Sequence, residues 1–417
     1  MRSKFFQLII ISLVVTGICV VTAQAHPGFA RKYRMSCTTC HDPAPRLKDF
    51  GEEFAGNGFV MEGQEPSRFH LNTGDPDLLL QALPPVGFRL DAYAHFEQGG
   101  DSLSLSNDLR TPYNLKFITG GRLTEMVSYY FYFFFSERGE VAGVEDAYLY
   151  FREFLGTPIG LAVGQFQVSD PLFKRELRLT FEDYQIYKTQ VGEIPTDLAY
   201  DRGLMASYTA PWGSDFVYEL INGNGIDPAS GYHNFDNDSY KNSFLRWSHA
   251  FGPLRVGAFG YYGNSELSVP DTSLFRTNAT MMYGPDFTVN AGDKLQVNFQ
   301  YIIRTDDNPM LQSPAPDDQV VTRGSLAEVI FSPQGDRSKW YLIGLYNSRT
   351  SDLLDNSQIE TFINNQQLST SDYMLEYQSA GLAWTYALAT NFRLLTEFNY
   401  DIEREVNRVT VGFFSAF

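Results

Sequence analysis

The chain has 417 residues, of which 32 are lysine or arginine and 49 are aspartate or glutamate, giving a formal net charge of −17. With 43% hydrophobic and 15% aromatic residues, it has enough apolar side chains for a large ordered structure, which excludes global disorder. The acidic balance argues against a nucleic-acid partner, which needs a basic face, and disfavours a phosphate-type anion pore. Three cysteines are too few for a disulfide scaffold in a chain of this length.

The first 25 residues have the three-part pattern of a secretory signal peptide. Arg2 and Lys4 form a charged start, an apolar stretch covers residues 5–21, and Ala23-Gln24-Ala25 is an A-x-A cleavage pattern. We therefore expect residues 1–25 to be removed. After this leader the sequence has no run of about 18 or more apolar residues, so it predicts no membrane-spanning helix. A mature chain embedded in a membrane would have to cross it with strands.

The two cysteines that remain after cleavage lie in the sequence Cys37-Thr38-Thr39-Cys40-His41. This C-x-x-C-H spacing is the attachment pattern of a c-type haem. Two thiols three positions apart bind the two vinyl groups of the porphyrin, and the adjacent imidazole binds the iron as proximal ligand. Zinc would need four protein ligands, and no second cysteine pair exists to supply them. The sequence predicts one covalent haem c held by Cys37, Cys40 and His41, with a simple disulfide as the alternative.

The sixth ligand of the iron is less clearly marked. Met61 follows His41 by 20 residues, and a thioether ligand would raise the reduction potential of the haem. His26, His70 and Met35 are the competing candidates. Methionine also fills gaps in apolar cores, so Met61 has an ordinary packing role as its alternative. We expect Met61 to be the second metal ligand beside His41.

From about residue 86 the pattern changes to short runs of period two. In the first run, apolar residues from Phe88 to Phe96 alternate with mostly polar residues from Arg89 to Glu97, as in a strand with one apolar face. Sixteen such runs follow one another to the C-terminus, with Glu176 to Tyr187 as an ambiguous stretch that makes the count uncertain by about two. Connections alternate between tight turns and long polar loops, which is typical of a transmembrane barrel.

The sequence therefore predicts a mostly β protein in three parts. Residues 1–25 are the signal peptide, residues 26–85 form a short, partly helical monohaem cytochrome c-like segment that plugs or caps the barrel, and residues 86–417 form an antiparallel outer-membrane porin-like β-barrel of roughly 16 strands. A barrel of this size is expected to leave an aqueous lumen. The aromatic C-terminal residue, Phe417, resembles the end of the final strand of outer-membrane porins.

The beginning of the mature chain also resembles a known family. The stretches 26–31, 37–41, 45–51 and 57–59 resemble the start of the fused monohaem cytochrome-porins of iron-oxidising bacteria. In that family a short cytochrome precedes an outer-membrane barrel of about this size. The resemblance is specific over roughly residues 26–60, whereas over the barrel it rests on strand pattern and generic porin-like phrases.

The resemblance implies oxidation of extracellular Fe(II), with the electron passing through the haem to a periplasmic c-type cytochrome. If the protein is an enzyme, it would be an Fe(II):cytochrome c oxidoreductase. His41 would hold the iron, while Cys37 and Cys40 would fix the ring. Two alternatives stay open: the same conduit could export electrons to extracellular acceptors, or the barrel could be a passive porin with a haem-bearing plug. In each case outer-membrane lipid would surround the barrel.

Overall fold

The computed structural model of the protein describes most of the chain after the predicted leader. The described residues are 28–61, 63–65, 70–75, 78, 80–82, 84–99, 102–229, 233–236, 238–268, 275–310, 319–355 and 375–417. The signal peptide predicted at residues 1–25 and the candidate ligand His26 lie outside these ranges.

Three short helices begin the described chain: α1 (Gly28–Tyr33), α2 (Cys37–Cys40) and α3 (Asp49–Gly56). The hydroxyl of Ser36 accepts a hydrogen bond from the N–H of Thr38 at the start of α2, as an N-cap residue does. Gly51 lets α3 approach α2 closely, because a Cβ at this position would collide with the carbonyl oxygen of Cys40. A small ladder of β1 (His70–Leu71) and β2 (Leu80–Gln81) follows. Among the described helices, none is long and apolar enough to cross a membrane.

The described residues from 86 onward form a closed antiparallel barrel of 16 strands, in which each strand pairs with its neighbours in sequence and the last strand pairs with the first. The barrel strands are β3 (Val86–Gly99), β4 (Ser102–Arg122), β5 (Val127–Glu137), β6 (Gly143–Phe151), β7 (Gly160–Gln167), β8 (Tyr200–Thr209), β9 (Ser214–Ile221), β10 (Asn242–Phe251), β11 (Leu254–Ser268), β12 (Phe275–Ala291), β13 (Leu295–Asp306), β14 (Val320–Phe331), β15 (Trp340–Ser351), β16 (Tyr377–Ala389), β17 (Phe392–Asp401) and β18 (Val406–Ala416). Each predicted run corresponds to one of these strands, so the predicted barrel is confirmed.

The outside of the barrel is apolar and aromatic. Large side chains on its strands stay exposed on the outer surface, among them Phe131, Phe135, Tyr218, Trp247, Tyr283, Trp384 and Phe398. Closure leaves no strand edge unpaired, which is what a sheet needs to lie in hydrocarbon. A closed barrel of an even number of antiparallel strands with an apolar exterior is the architecture of bacterial outer-membrane proteins. The protein is therefore an outer-membrane β-barrel.

The two ends of the barrel differ. Tight connections at residues 123–126, 252–253 and 390–391 lie at one end, whereas the other end carries the long connections 168–199, 222–241 and 352–376. Short turns face the periplasm in bacterial barrels. The C-terminus also lies at the short-turn end, where the backbone N–H of Phe417 donates to the carbonyl oxygen of Phe88 at 2.9 Å and completes the closure of the barrel.

The lumen contains a packed loop, which differs from the aqueous lumen that the sequence predicted. The connection between β7 and β8, residues 168–199, folds into the barrel and is called the lumen loop below. Its apolar side chains join inward-facing wall residues in one buried cluster: Phe166, Val168, Leu172, Tyr184, Ile186, Tyr187, Leu198, Ile221, Phe244, Phe259, Tyr261, Met282, Ile302, Leu326 and Leu345. The ambiguous stretch from Glu176 to Tyr187 belongs to this loop and forms short 3-10 turns, not a strand.

Polar contacts fix the lumen loop to the wall. The Tyr184 hydroxyl donates to the carboxylate of Glu328 at 2.8 Å, and one guanidinium nitrogen of Arg304 donates to the carbonyl oxygens of Thr189 and Thr196, each at 2.7 Å. The loop is therefore held both by apolar burial and by hydrogen bonds whose partners lie on the strands.

Candidate haem site

Helix α2 brings the three residues of the predicted haem motif together. Cys37 and Cys40 are its first and last residues, and their spacing places both thiols on one side of a single helical turn. His41 follows directly, and its backbone N–H donates to the carbonyl oxygen of Cys37 at 2.9 Å. Both cysteines are free thiols, so they form no disulfide with each other. Burial raises the pKa of the Cys37 and Cys40 thiols.

The imidazole of His41 is oriented by the backbone that follows it. Its Nδ1 lies 2.9 Å from the carbonyl oxygen of Pro45 and 3.3 Å from that of Arg46. Because carbonyl oxygens only accept hydrogen bonds, Nδ1 carries the proton and Nε2 is the nitrogen left for a metal. Histidines that ligate metals commonly donate their other ring N–H to such a carbonyl. Burial lowers the pKa of His41 against the opposing effect of these hydrogen bonds, which favours the neutral ligand form.

These observations fit the donor set of a covalent haem c. Two free thiols at the required spacing and one neutral imidazole with an available Nε2 are present within a single turn of chain. Within the described ranges, no group of three or more histidine, cysteine, aspartate or glutamate side chains is arranged to hold a separate metal ion. Two thiols and one imidazole are the protein ligands that a covalent haem c takes from a C-x-x-C-H motif.

The motif is tied to the short-turn end of the barrel by polar contacts. The Tyr341 hydroxyl on β15 donates to the Asp42 carboxylate at 2.5 Å. Lys48 forms an ion pair of 2.6 Å with Asp336, which lies in the connection before β15. Burial raises the pKa of Asp42, although the hydrogen bond from Tyr341 opposes this effect. The residues on both sides of α2 thus contact the barrel.

A cluster of aromatic rings makes the second attachment. The Phe59 ring stacks on Phe29 with centroids 5.1 Å apart, and Phe54 meets both rings edge-on. On the barrel side, Phe59 also stacks on Tyr130 of β5 at 4.4 Å. The neighbouring Gly58 has a φ of +67°, and a Cβ there would collide with the hydroxyl of Ser128 on the same strand. Glycine is thus required where the segment lies against the wall.

Glu65 joins three polar groups of the N-terminal segment. Its carboxylate accepts hydrogen bonds from Lys32 at 2.9 Å and from the Tyr33 hydroxyl, and it lies 3.4 Å from Nε2 of His70. Burial alone would raise the pKa of Glu65, but the hydrogen bonds from Tyr33 and Lys32 outweigh it and hold the pKa below its usual range. Sequence reasoning missed Glu65 as well as Tyr341 and Pro45, because their roles depend on contacts distant in sequence or on a backbone carbonyl.

The described candidates for the sixth ligand, Met61, Met35 and His70, lie in the same N-terminal segment as the haem motif. The Met61 backbone N–H donates to the Tyr33 hydroxyl at 3.2 Å, and its side chain is half-buried. Met35 is also half-buried, while the His70 ring faces Glu65. Met61 therefore stays a prediction as a ligand, and His26 lies outside the described residues.

Comparisons with known proteins bear on the barrel. No protein-family model matches the chain, and no curated protein is similar to it in sequence. Among solved structures, the anion-selective porin from Comamonas acidovorans matches with a TM-score of 0.53 at 10% identity, covering 80% of this chain and 99% of that chain. The outer membrane channel DcaP of Acinetobacter baumannii matches with a TM-score of 0.52 at 14% identity, covering 80% and 97%. Salmonella typhi OmpF has a TM-score of 0.52 at 11% identity, with the same coverage. At these identities the likeness shows the porin fold alone.

Proposed function

We propose that this outer-membrane barrel is an electron-transfer protein that carries one covalent haem c on residues 26–85 and exchanges electrons with a periplasmic c-type cytochrome. The observation that carries the proposal is the arrangement of Cys37, Cys40 and His41, in which Nδ1 of His41 is bound by the carbonyl of Pro45 and Nε2 is left for iron. When bound, the haem supplies an iron that carries one electron at a time.

The protein's own residues would serve this function by fixing the motif at the membrane boundary. Cys37 and Cys40 would hold the porphyrin covalently, and His41 would bind the iron with its ring orientation set by Pro45. The contacts of Asp42 and Phe59 with β15 and β5 tie the motif to the end of the barrel that carries the short turns. Because short turns face the periplasm, this location favours a soluble periplasmic partner.

The filled lumen argues against the free diffusion of solutes through the barrel. A diffusion channel of about sixteen strands needs an open aqueous path, as porins have. Here the lumen loop buries Tyr184, Ile186 and Tyr187 against the wall within the barrel. Apolar packing of this kind impedes the passage of hydrated solutes through the barrel. The exchange of an electron between a haem at the short-turn end and a soluble periplasmic partner does not need such a passage.

Fe(II) is the electron donor that we propose, and the resemblance to the cytochrome-porins is the reason. The net charge of −17 supports this choice, because an acidic surface raises the local concentration of cations. The reaction would make the protein an Fe(II):cytochrome c oxidoreductase. Electrons could also flow in the opposite direction, to extracellular acceptors, through the same residues. Electron export would require a different reduction potential of the haem from that required for Fe(II) oxidation.

A passive porin with a haem-bearing plug is the second candidate function. It is favoured by the fold, since the solved structures of similar shape include an outer membrane channel and an anion-selective porin. The two candidates differ in what crosses the membrane: electrons in the first and solutes in the second.

One pair of measurements separates these functions. Oxidised, haem-loaded full-length protein is mixed anaerobically with Fe(II) in a stopped-flow cuvette, and its conductance is recorded in a planar bilayer. We expect reduction of the haem within seconds and a small conductance. A haem that Fe(II) leaves oxidised but that a reduced c-type cytochrome reduces would support electron export. A large open-channel conductance together with a haem that neither partner reduces would support the passive porin.

A further inference from the structure

We propose that a cavity between the lumen loop and the barrel wall binds a small oxyanion, a phosphate or a carboxylate. The cavity is lined by residues of β3, β4, β5 and β17 together with the lumen loop. Five cationic and three anionic side chains line it. The cationic residues are Arg89, Lys116, Arg138, Arg178 and Arg393.

The buried guanidinium of Arg393, which has an unsatisfied donor, is the main reason to expect a bound anion. Its side chain is buried, with 4% of the residue exposed, at the second position of β17. One of its terminal nitrogens lies 3.4 Å from the carbonyl oxygen of Leu179, and its Nε has no hydrogen-bond partner. Among the residues that the structure describes, Arg393 forms no ion pair with a carboxylate. A guanidinium is never deprotonated in proteins, and a buried charge is normally paired.

The carboxylates near the cavity are already engaged by other cations. Asp91 accepts two hydrogen bonds from Arg89 at 2.9 and 2.8 Å, and Glu176 forms an ion pair of 2.5 Å with Lys116. Arg178 lies 3.5 Å from Asp183, and its Nε also has no hydrogen-bond partner. The unsatisfied donors of Arg178 and Arg393 both belong to residues that line the cavity.

The chemistry of these donors defines the ligand class. A guanidinium presents its N–H groups in a planar fork that matches two oxygens of a phosphate or a carboxylate. The excess of positive charge is local, because the whole chain is strongly acidic. The site is therefore confined to one region of the lumen.

The test is calorimetric titration of the full-length, haem-loaded protein in detergent with inorganic phosphate, and separately with malonate. We expect saturable binding of one anion per chain, and the two titrations show whether phosphate or carboxylate is preferred. Arg393→Gln should weaken binding at least tenfold. The control Arg404→Gln changes an exposed arginine in the turn after β17 and should leave binding unchanged.

A second variant, Glu176→Gln, should change the affinity for the anion in the opposite direction. Glu176→Gln removes one of the three carboxylates of the cavity and releases Lys116 from its ion pair, so binding should become at least threefold tighter. A purely structural role of Glu176 would not strengthen anion binding. Retention of heat-modifiable gel mobility identifies the variants that fold as closed barrels. The proposal is overturned if the wild-type protein binds neither anion, if folded Arg393→Gln binds as tightly as the wild type, or if Glu176→Gln weakens binding.

Discussion

The ring of Phe59 lies almost flat on the ring of Tyr130, with centroids 4.4 Å apart and planes inclined by 18°. Phe59 belongs to the segment that carries the haem motif, and Tyr130 belongs to barrel strand β5. This stack is the closest aromatic contact between the two parts among the described residues. It joins the local aromatic cluster of the segment to the wall near the short-turn end.

Replacement of Phe59 by alanine should loosen the segment without unfolding the barrel. Loss of a half-buried ring and of its stacking on Tyr130 and Phe29 is expected to reduce the free energy of docking by about 2 kcal/mol. The rate of tryptic cleavage after Arg31, Lys32 and Arg46 measures this effect. Phe131→Ala is the matched control, because Phe131 follows Tyr130 directly on β5 and its ring faces outward. Equal cleavage rates in Phe59→Ala and wild-type protein would contradict the docking role.

Glu65→Gln should make the stability of the segment less dependent on pH. A carboxyl whose pKa is depressed in the folded state contributes stability above its unfolded value, about 4.3, and this contribution is lost as pH falls through the folded pKa. At pH 7 the variant should lose about 1–3 kcal/mol, because Lys32 and Tyr33 then donate to a neutral group.

Urea titrations at pH 7 and at pH 3 that follow the absorption of the haem provide the measurement. The wild-type midpoint should fall on acidification, and the midpoint of Glu65→Gln should change much less. Glu53→Gln is the control, since Glu53 is exposed on α3. A variant whose midpoint depends on pH as strongly as that of the wild type would show that Glu65 is not the responsible group.

Met61→Ala should lower the reduction potential of the haem. A thioether ligand favours ferrous iron, so its loss is expected to shift the potential downward by on the order of 100 mV. Potentiometric titration of the purified protein measures the shift. Met35→Ala and His70→Ala serve as controls at the competing positions. If His70→Ala changes the visible spectrum and Met61→Ala does not, the ligand assignment is wrong.

Removal of the lumen loop should convert the barrel into an open channel. Replacing residues 172–196 by a short Gly-Ser linker removes most of the apolar side chains that the loop places in the lumen, and the conductance should rise on the order of fivefold or more. The control shortens residues 227–240, whose described members are mostly exposed. Single-channel recording compares the two variants. A loop-deleted barrel that conducts no better than the wild type would mean that another part of the chain closes the lumen.

The sequence predicted the barrel well because alternation of side chains is a local property. Every run of period two that faces lipid corresponds to a strand. The strands extend beyond these runs where both of their faces meet water. Strand β4, for example, begins at Ser102, although its apolar run begins near Leu115. Asn107 and Asp108 interrupt the alternation without interrupting the pairing with β3. Hydropathy thus marks the lipid-facing part of each strand and not its length.

The contents of the lumen could not be predicted in the same way. Tyr184, Ile186 and Tyr187 look like an ambiguous strand in the sequence, and only their contacts with Phe244 and other wall residues reveal a packed loop. The motif Cys37 to His41 was recognisable from spacing alone, whereas the role of Pro45 depends on the fold of the chain around His41. Net charge was similarly uninformative about the cationic cavity around Arg393, because it averages over the whole surface.

The most direct test of the account is the covalent haem content of the full-length protein isolated from the outer membrane of a host that matures c-type cytochromes. We expect one haem per chain that stays attached through acid-acetone extraction and a denaturing gel, and a Cys37→Ser/Cys40→Ser double variant that folds as a barrel without it. A wild-type barrel that is correctly folded in the outer membrane of such a host and carries no covalent haem would contradict the central claim.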